Sequence, residues 1–211
     1  MKVGKIMLGM CQTNCYYLYE EGSKEAVFVD PADQGAYLYE QVQKAGLQIV
    51  GILLTHGHFD HIWGANELRK LSGAKIYALD VEKALCENAE TNLSAQCGRP
   101  ETVIPDVYVR DGEEITLAGM TAKVIATPGH TVGSCCYYFA KDKVLISGDT
   151  LFQESVGRTD FETGSYSAII RSVNEKLFLL PDDVKVYPGH GGEKRSVMRK
   201  NIIPLYNRKE A

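Results

Sequence analysis

Short apolar runs and polar turns alternate along this chain, and the spacing within each run separates strands from helices. Residues 3–8 and 14–20 read as two strands with a turn between them. Ala26-Val27-Phe28-Val29 reads as a continuous apolar strand stopped by Asp30-Pro31. Tyr37, Leu38, Gln41, Val42 and Ala45 then recur at helical spacing, with Gly46 as the stop. A strand over 49–54 follows, then a helix over 62–71 ended near Gly73, a strand over 75–79 and a helix over 81–89. Residues 90–106, with Gly98, Pro100 and Pro105, read as a connection without periodicity. Strands over 107–109, 115–117 and 121–126 make a meander, and 134–139 and 144–147 continue as strands. After an irregular loop come a helix over 165–177, a strand over 184–187 and a basic helix over 193–201.

Each half of this order runs several antiparallel strands and then strand–loop–helix units. Two mixed sheets with helices outside accommodate it, so the expectation is one four-layer α/β domain over residues 1–211. The length allows one substantial core, and 45% hydrophobic and 24% charged residues are the proportions of an ordinary globular protein. A formal charge of −4 leaves no basic footprint, which argues against nucleic acid as a partner. No apolar run approaches the roughly 18 residues needed to span a membrane. The first residues lack the apolar segment of a signal peptide, so a cytoplasmic location is the default expectation. The six cysteines form no CxxC pair and read as reduced, semi-buried thiols. Cys135 and Cys136, adjacent in one strand, are expected to face opposite sides.

The chemistry concentrates in Thr55-His56-Gly57-His58-Phe59-Asp60-His61, which follows the strand over 49–54 and carries three of the five histidines. Imidazole and carboxylate suit zinc and other first-row divalent ions. Loops at the carboxyl ends of strands are where α/β proteins present such groups. His56 and His58, two residues apart in extended backbone, point the same way, whereas Asp60 and His61 turn toward a second point. His130, Asp149 and His190 each follow another expected strand end, and Gly57, Gly129, Gly148 and Gly189 stand beside the ligands. The seven side chains divide into His56, His58 and His130 for one metal and Asp60, His61 and His190 for a second, with Asp149 bridging. Two metals about 3.5–4 Å apart share a water and lower its pKa toward 7.

The order His56-x-His58-x-Asp60-His61, His130, Asp149, His190 resembles the metallo-β-lactamase superfamily across almost the whole chain. That resemblance implies an αββα sandwich with the site at one edge of the two sheets. Gly148-Asp149-Thr150-Leu151-Phe152, followed by Val156-Gly157-Arg158-Thr159-Asp160-Phe161, is similar to glyoxalase II, the hydroxyacylglutathione hydrolases, and especially to their short relatives. The implied activity is hydrolysis of a small thioester by a hydroxide held between two divalent metals, zinc first, with iron or manganese also compatible. Asp60 and Asp149 are the catalytic carboxylates in this reading, and Arg158 matches a basic residue that contacts glutathione. The match is not complete. The family's tyrosine near Arg158 is here Asp160 or Phe161, and only about twenty residues follow His190, where glyoxalase II proper carries a helical extension that grips glutathione. An ion pair of Arg158 with Asp160 or Glu162 is the structural alternative.

The runner-up is an oxidoreductase. The resemblance extends to persulfide dioxygenases, which hold one iron on the residues matching His56, His130 and Asp149. Two histidines and a carboxylate on one face leave open positions for oxygen. A lactonase or other ester hydrolase ranks lower. Superfamily nucleases carry a large insertion where only about forty residues separate Asp149 from His190. The pattern specifies no oligomeric state.

Overall fold

In a strand, successive side chains join opposite faces, and here that alternation assigns residues to layers. The computed structural model describes residues 1–191 and the two-residue strand Ser196–Val197. In β3 (Glu25–Val29), Ala26 and Phe28 pack to one side, and Val27 and Val29 to the other. In β9 (Cys135–Phe139), Cys135, Tyr137 and Phe139 enter the cluster that also holds Val27 and Val29, while Cys136 and Tyr138 face away from it. The two cysteines thus lie on opposite faces, as their adjacency requires, and all six cysteines are free.

Two six-stranded sheets result. The first runs β1 (Lys2–Leu8), β2 (Thr13–Tyr19), β3, β4 (Gln48–Leu53), β5 (Lys75–Leu79) and β6 (Val107–Val109) in spatial order. Its β1–β3 pairs are antiparallel, and β3–β6 are parallel. The second has the order β14 (Ser196–Val197), β13 (Lys185–Pro188), β10 (Val144–Gly148), β9, β8 (Met120–Ala126) and β7 (Glu114–Leu117). Within it only β10 and β13 pair parallel. Both sheets are mixed, as the element order implied.

Three apolar clusters fill the gaps between four layers. Leu18, Val29 and Leu53 of the first sheet meet Val124, Tyr137 and Ile146 of the second in the central layer. Outside the first sheet, Leu38 and Val42 of α1 (Gly35–Lys44) and Leu68 of α3 (Ala65–Ser72) pack on Phe28 and Ile52. Outside the second, Val173 of α5 (Tyr166–Glu175) joins Leu145 and Val186. The αββα architecture is thereby observed. No helix among the described residues is long and apolar enough to cross a membrane.

Three expected helices differ in detail. The helix over 62–71 is two, α2 (Phe59–Ile62) and α3, because the Gly64 N–H donates to the Pro31 carbonyl at 2.8 Å and breaks the run. The helix over 81–89 shortens to a 3₁₀ turn, Asp80–Glu82, and α4 (Lys83–Cys86). There the Asn88 carboxamide accepts the Glu90 N–H at 2.9 Å, which favours a turn over a further helical turn. The basic helix over 193–201 lies mostly outside the described residues. Of its span, Ser196 and Val197 are strand, paired antiparallel with β13. The loop after Asp149 also contains a small hairpin, β11 (Leu151–Phe152) with β12 (Ser155–Val156).

Candidate metal centre

All five histidines and both candidate carboxylates converge at the carboxyl ends of the strands. His56 leaves β4, His58 is the extended residue before α2, and Asp60 and His61 lie in that helix's first turn. His130 follows β8, Asp149 follows β10 and His190 follows β13. Three sets have ligand atoms within 4.8 Å of one another: His56, His58 and His130; Asp60, His61 and His190; and His56, His61 and Asp149. The first two are the triads expected from the sequence, and the third places Asp149 between them. Its carboxylate lies 3.5 Å from His61 Nε2, 3.6 Å from His130 Nε2 and 3.3 Å from His190 Nε2.

Hydrogen bonds on the far side of the rings fix which nitrogen faces inward. His61 Nδ1 meets Asp30 Oδ2 at 2.9 Å, and His130 Nδ1 meets the Arg158 carbonyl at 2.8 Å. His190 Nδ1 lies 3.2 Å from the Cys11 carbonyl. Each contact uses up one ring nitrogen as a donor and leaves Nε2 as a lone-pair ligand. His58 is turned the other way, with Nδ1 2.9 Å from His130 Nε2. Two imidazole lone pairs at that distance repel unless a proton or cation lies between them. Buried polar atoms are normally paired, yet His56 Nε2 and Asp149 Oδ1 are buried without a hydrogen-bond partner. The donor set, its convergence and these orphaned atoms fit a pair of divalent ions.

Electrostatics divides the two triads. Burial holds His56 well below the usual imidazole range, with help from its histidine neighbours, and pushes His58 down to about 3. Burial lowers His130 as well, so this triad presents neutral lone pairs. Around His61 the effect of burial is outweighed by Asp60, Asp30 and Asp149, which raise it well above its ordinary value. Burial likewise opposes charge on His190, but hydrogen bonds with Asp149 and Asp60 raise it to about 9. The same histidines keep both carboxylates below their usual range against the effect of burial. Without a cation, this second set is an ion-paired histidine–carboxylate cluster.

The centre opens on one side only. His56, His58 and His61 are at most 3% exposed, whereas the side chains of Asp149, Asp60 and His190 are 11%, 13% and 26% exposed. Phe161 packs on the first triad, its ring 4.7 Å from His58 and 5.4 Å from His130. Arg158 stands over Phe161 at 4.4 Å and forms a two-pronged pair with Asp160, at 2.7 and 2.6 Å. The ion pair named as its structural alternative is therefore present, beside the first triad, where His130 meets the Arg158 carbonyl. Gly189 has no room for a side chain: a Cβ there would stand 2.2 Å from Asp149 Oδ1.

Two groups that shape the centre escaped sequence reasoning. Asp30, read only as a strand stop, is 2% exposed, takes φ +49° and accepts hydrogen bonds from Thr55 N–H (2.8 Å), the Thr55 hydroxyl (2.6 Å) and His61. Its signal was the one that identified Asp149, an acid at a strand end. Asn14 and Tyr16 of β2 hold the His190 loop: the Asn14 amide donates to the Pro188 and Gly191 carbonyls, and the Tyr16 hydroxyl to Pro188 at 2.7 Å. Nothing in the local pattern marked them.

The family model described as the metallo-beta-lactamase superfamily matches residues 8–190. A curated protein of Haemophilus influenzae, hydroxyacylglutathione hydrolase GloC, is 30% identical over 212 residues, covering 99% of this chain and 100% of that one. The crystal structure of BLEG-1 B3 metallo-beta-lactamase superposes with a TM-score of 0.86 at 37% identity, over 90% of this chain and 92% of that one. That of TTHA1623 in a di-iron-bound form gives 0.82 at 30% identity, over 95% and 98%.

Proposed function

Because this chain belongs to the metallo-β-lactamase superfamily, we propose that it is a metal-dependent hydrolase of small thioesters of the hydroxyacylglutathione type. The observation that carries the proposal is the pair of complete triads with Asp149 between them, since a mononuclear centre would leave one triad without a task. Two divalent ions, when bound, supply an activated water and an electrophile for the substrate carbonyl. His56, His58 and His130 would hold one ion, Asp60, His61 and His190 the other, and Asp149 would serve both. Asp60 is the carboxylate best placed to orient a water, because Thr13 Oγ1 and His190 hold it at the open side, at 3.4 and 3.2 Å. Zinc suits the donor set, and the di-iron form of one neighbour supports iron as an alternative.

Three features support a thioester with an anionic thiol. The GloC relative spans the full chain. Arg158 offers a cation beside the first triad, with Nη1 outside its two bonds to Asp160. Phe161 gives an apolar wall beside it. The test compares three substrates on one metal-loaded preparation: S-lactoylglutathione, a chromogenic β-lactam, and glutathione persulfide in an oxygen electrode. Thioester hydrolysis dominating is the expected result. Dominant β-lactam turnover would move the activity toward that of the BLEG-1 neighbour, and oxygen uptake would establish the dioxygenase reading.

A further inference from the structure

Glu82 is a carboxylate only 1% exposed, outside every ligand motif, at the end of the 3₁₀ turn before α4. Its Oε1 accepts the Gly57 N–H at 2.9 Å and the Thr131 hydroxyl at 2.8 Å, and its Oε2 accepts the Gly133 N–H at 2.8 Å. Gly57 lies between His56 and His58, and Thr131 adjoins His130. One side chain therefore ties the loop leaving the first sheet to the loop leaving the second. Backbone packing tightens the same junction: a Cβ at Gly133 would stand 2.4 Å from the Glu82 nitrogen, and one at Gly57 would stand 2.8 Å from Cys86 Sγ. The Asp60–His61–His190 triad is held elsewhere, by Asn14 and Tyr16 at the His190 loop and by Asp30, which bonds His61 and also Thr55 beside His56.

We propose that Glu82 is a positioning residue that sets the spacing of His56, His58 and His130 and so governs the metal affinity of that triad alone. This rests on the two-metal reading. Three donors converge on a group that only accepts, so an isosteric amide would turn a donor toward at least one of them. Changing the groups that hold metal ligands in place typically weakens metal binding by about 10–100-fold. The test is zinc release from the full-length holoprotein against graded chelator, which should occur in two phases, one of them abolished by His58→Ala. Glu82→Gln is expected to shift that phase by about 10–100-fold and leave the other in place. Thr131→Val, which removes one of the three donors, should shift the same phase less, and it carries the test if Glu82→Gln does not fold. No shift in either variant, or equal shifts of both phases, overturns the proposal while leaving the metal reading intact. A wild-type chain that holds neither zinc nor another divalent ion overturns both.

Discussion

At the residue scale, Asp30 and Arg158 show how differently two charged groups serve one site. Asp30 is buried and satisfies three donors, two of them on Thr55 and one on the ligand His61. Asp30→Ala would orphan the Thr55 N–H and His61 Nδ1 and leave the Thr55 hydroxyl only His56 Nδ1, at 3.2 Å, and each buried unsatisfied donor costs about 1–3 kcal/mol. We expect a loss of several kcal/mol in denaturant unfolding of the metal-free protein, with Asp30→Asn milder. An unchanged unfolding midpoint in Asp30→Ala would show that the network contributes little. Arg158 is exposed and already paired, so its removal should leave stability within about 0.5 kcal/mol. The effect belongs in catalysis: Arg158→Ala should raise KM for S-lactoylglutathione about tenfold with kcat little changed, the signature of lost uniform binding. Asp160→Asn, which frees the guanidinium, should lower KM. Unchanged KM in both would remove Arg158 from the substrate site.

At the scale of elements, the site was legible because the runs over 49–54, 121–126, 144–147 and 184–187 end just before His56, His130, Asp149 and His190. The His56–His61 segment could be read locally, as its geometry is set within six residues. Glu82 and Asp30 could not be read that way, since their partners lie 25 to 51 residues away and only the folded sheets bring them together. The long helix expected after His61 failed for the same reason, because a distant carbonyl, Pro31, captured the Gly64 N–H. The helix expected over 165–177 is present as α5. Ser165 precedes α5 and its side chain accepts the Ala168 N–H at 3.4 Å. Ser165→Ala should cost about 1 kcal/mol, which lowers Tm by about 2–4 °C for a chain of this size. A change below 1 °C would show that packing of Ile169 and Val173, and not the cap, fixes that end of the helix.

For the whole molecule, the candidate ligands come from loops of both sheets, so a bound ion would join the two halves of the sandwich. Anything that binds only the folded state stabilises it by mass action, and chelation should therefore lower the melting temperature by several degrees, reversibly on adding zinc. The order of strands implied two mixed sheets, and the alternation of Ala26, Val27, Phe28 and Val29 between two clusters shows why: each central strand is apolar on both faces. The most direct measurement is elemental analysis of the purified chain, with S-lactoylglutathione hydrolysis assayed on the same batch and on Asp149→Asn. A two-metal thioester hydrolase should carry about two ions per chain and show hydrolysis that rises with occupancy, falling by about 10²-fold or more in Asp149→Asn. One iron per chain, no hydrolysis and oxygen uptake with glutathione persulfide would contradict it.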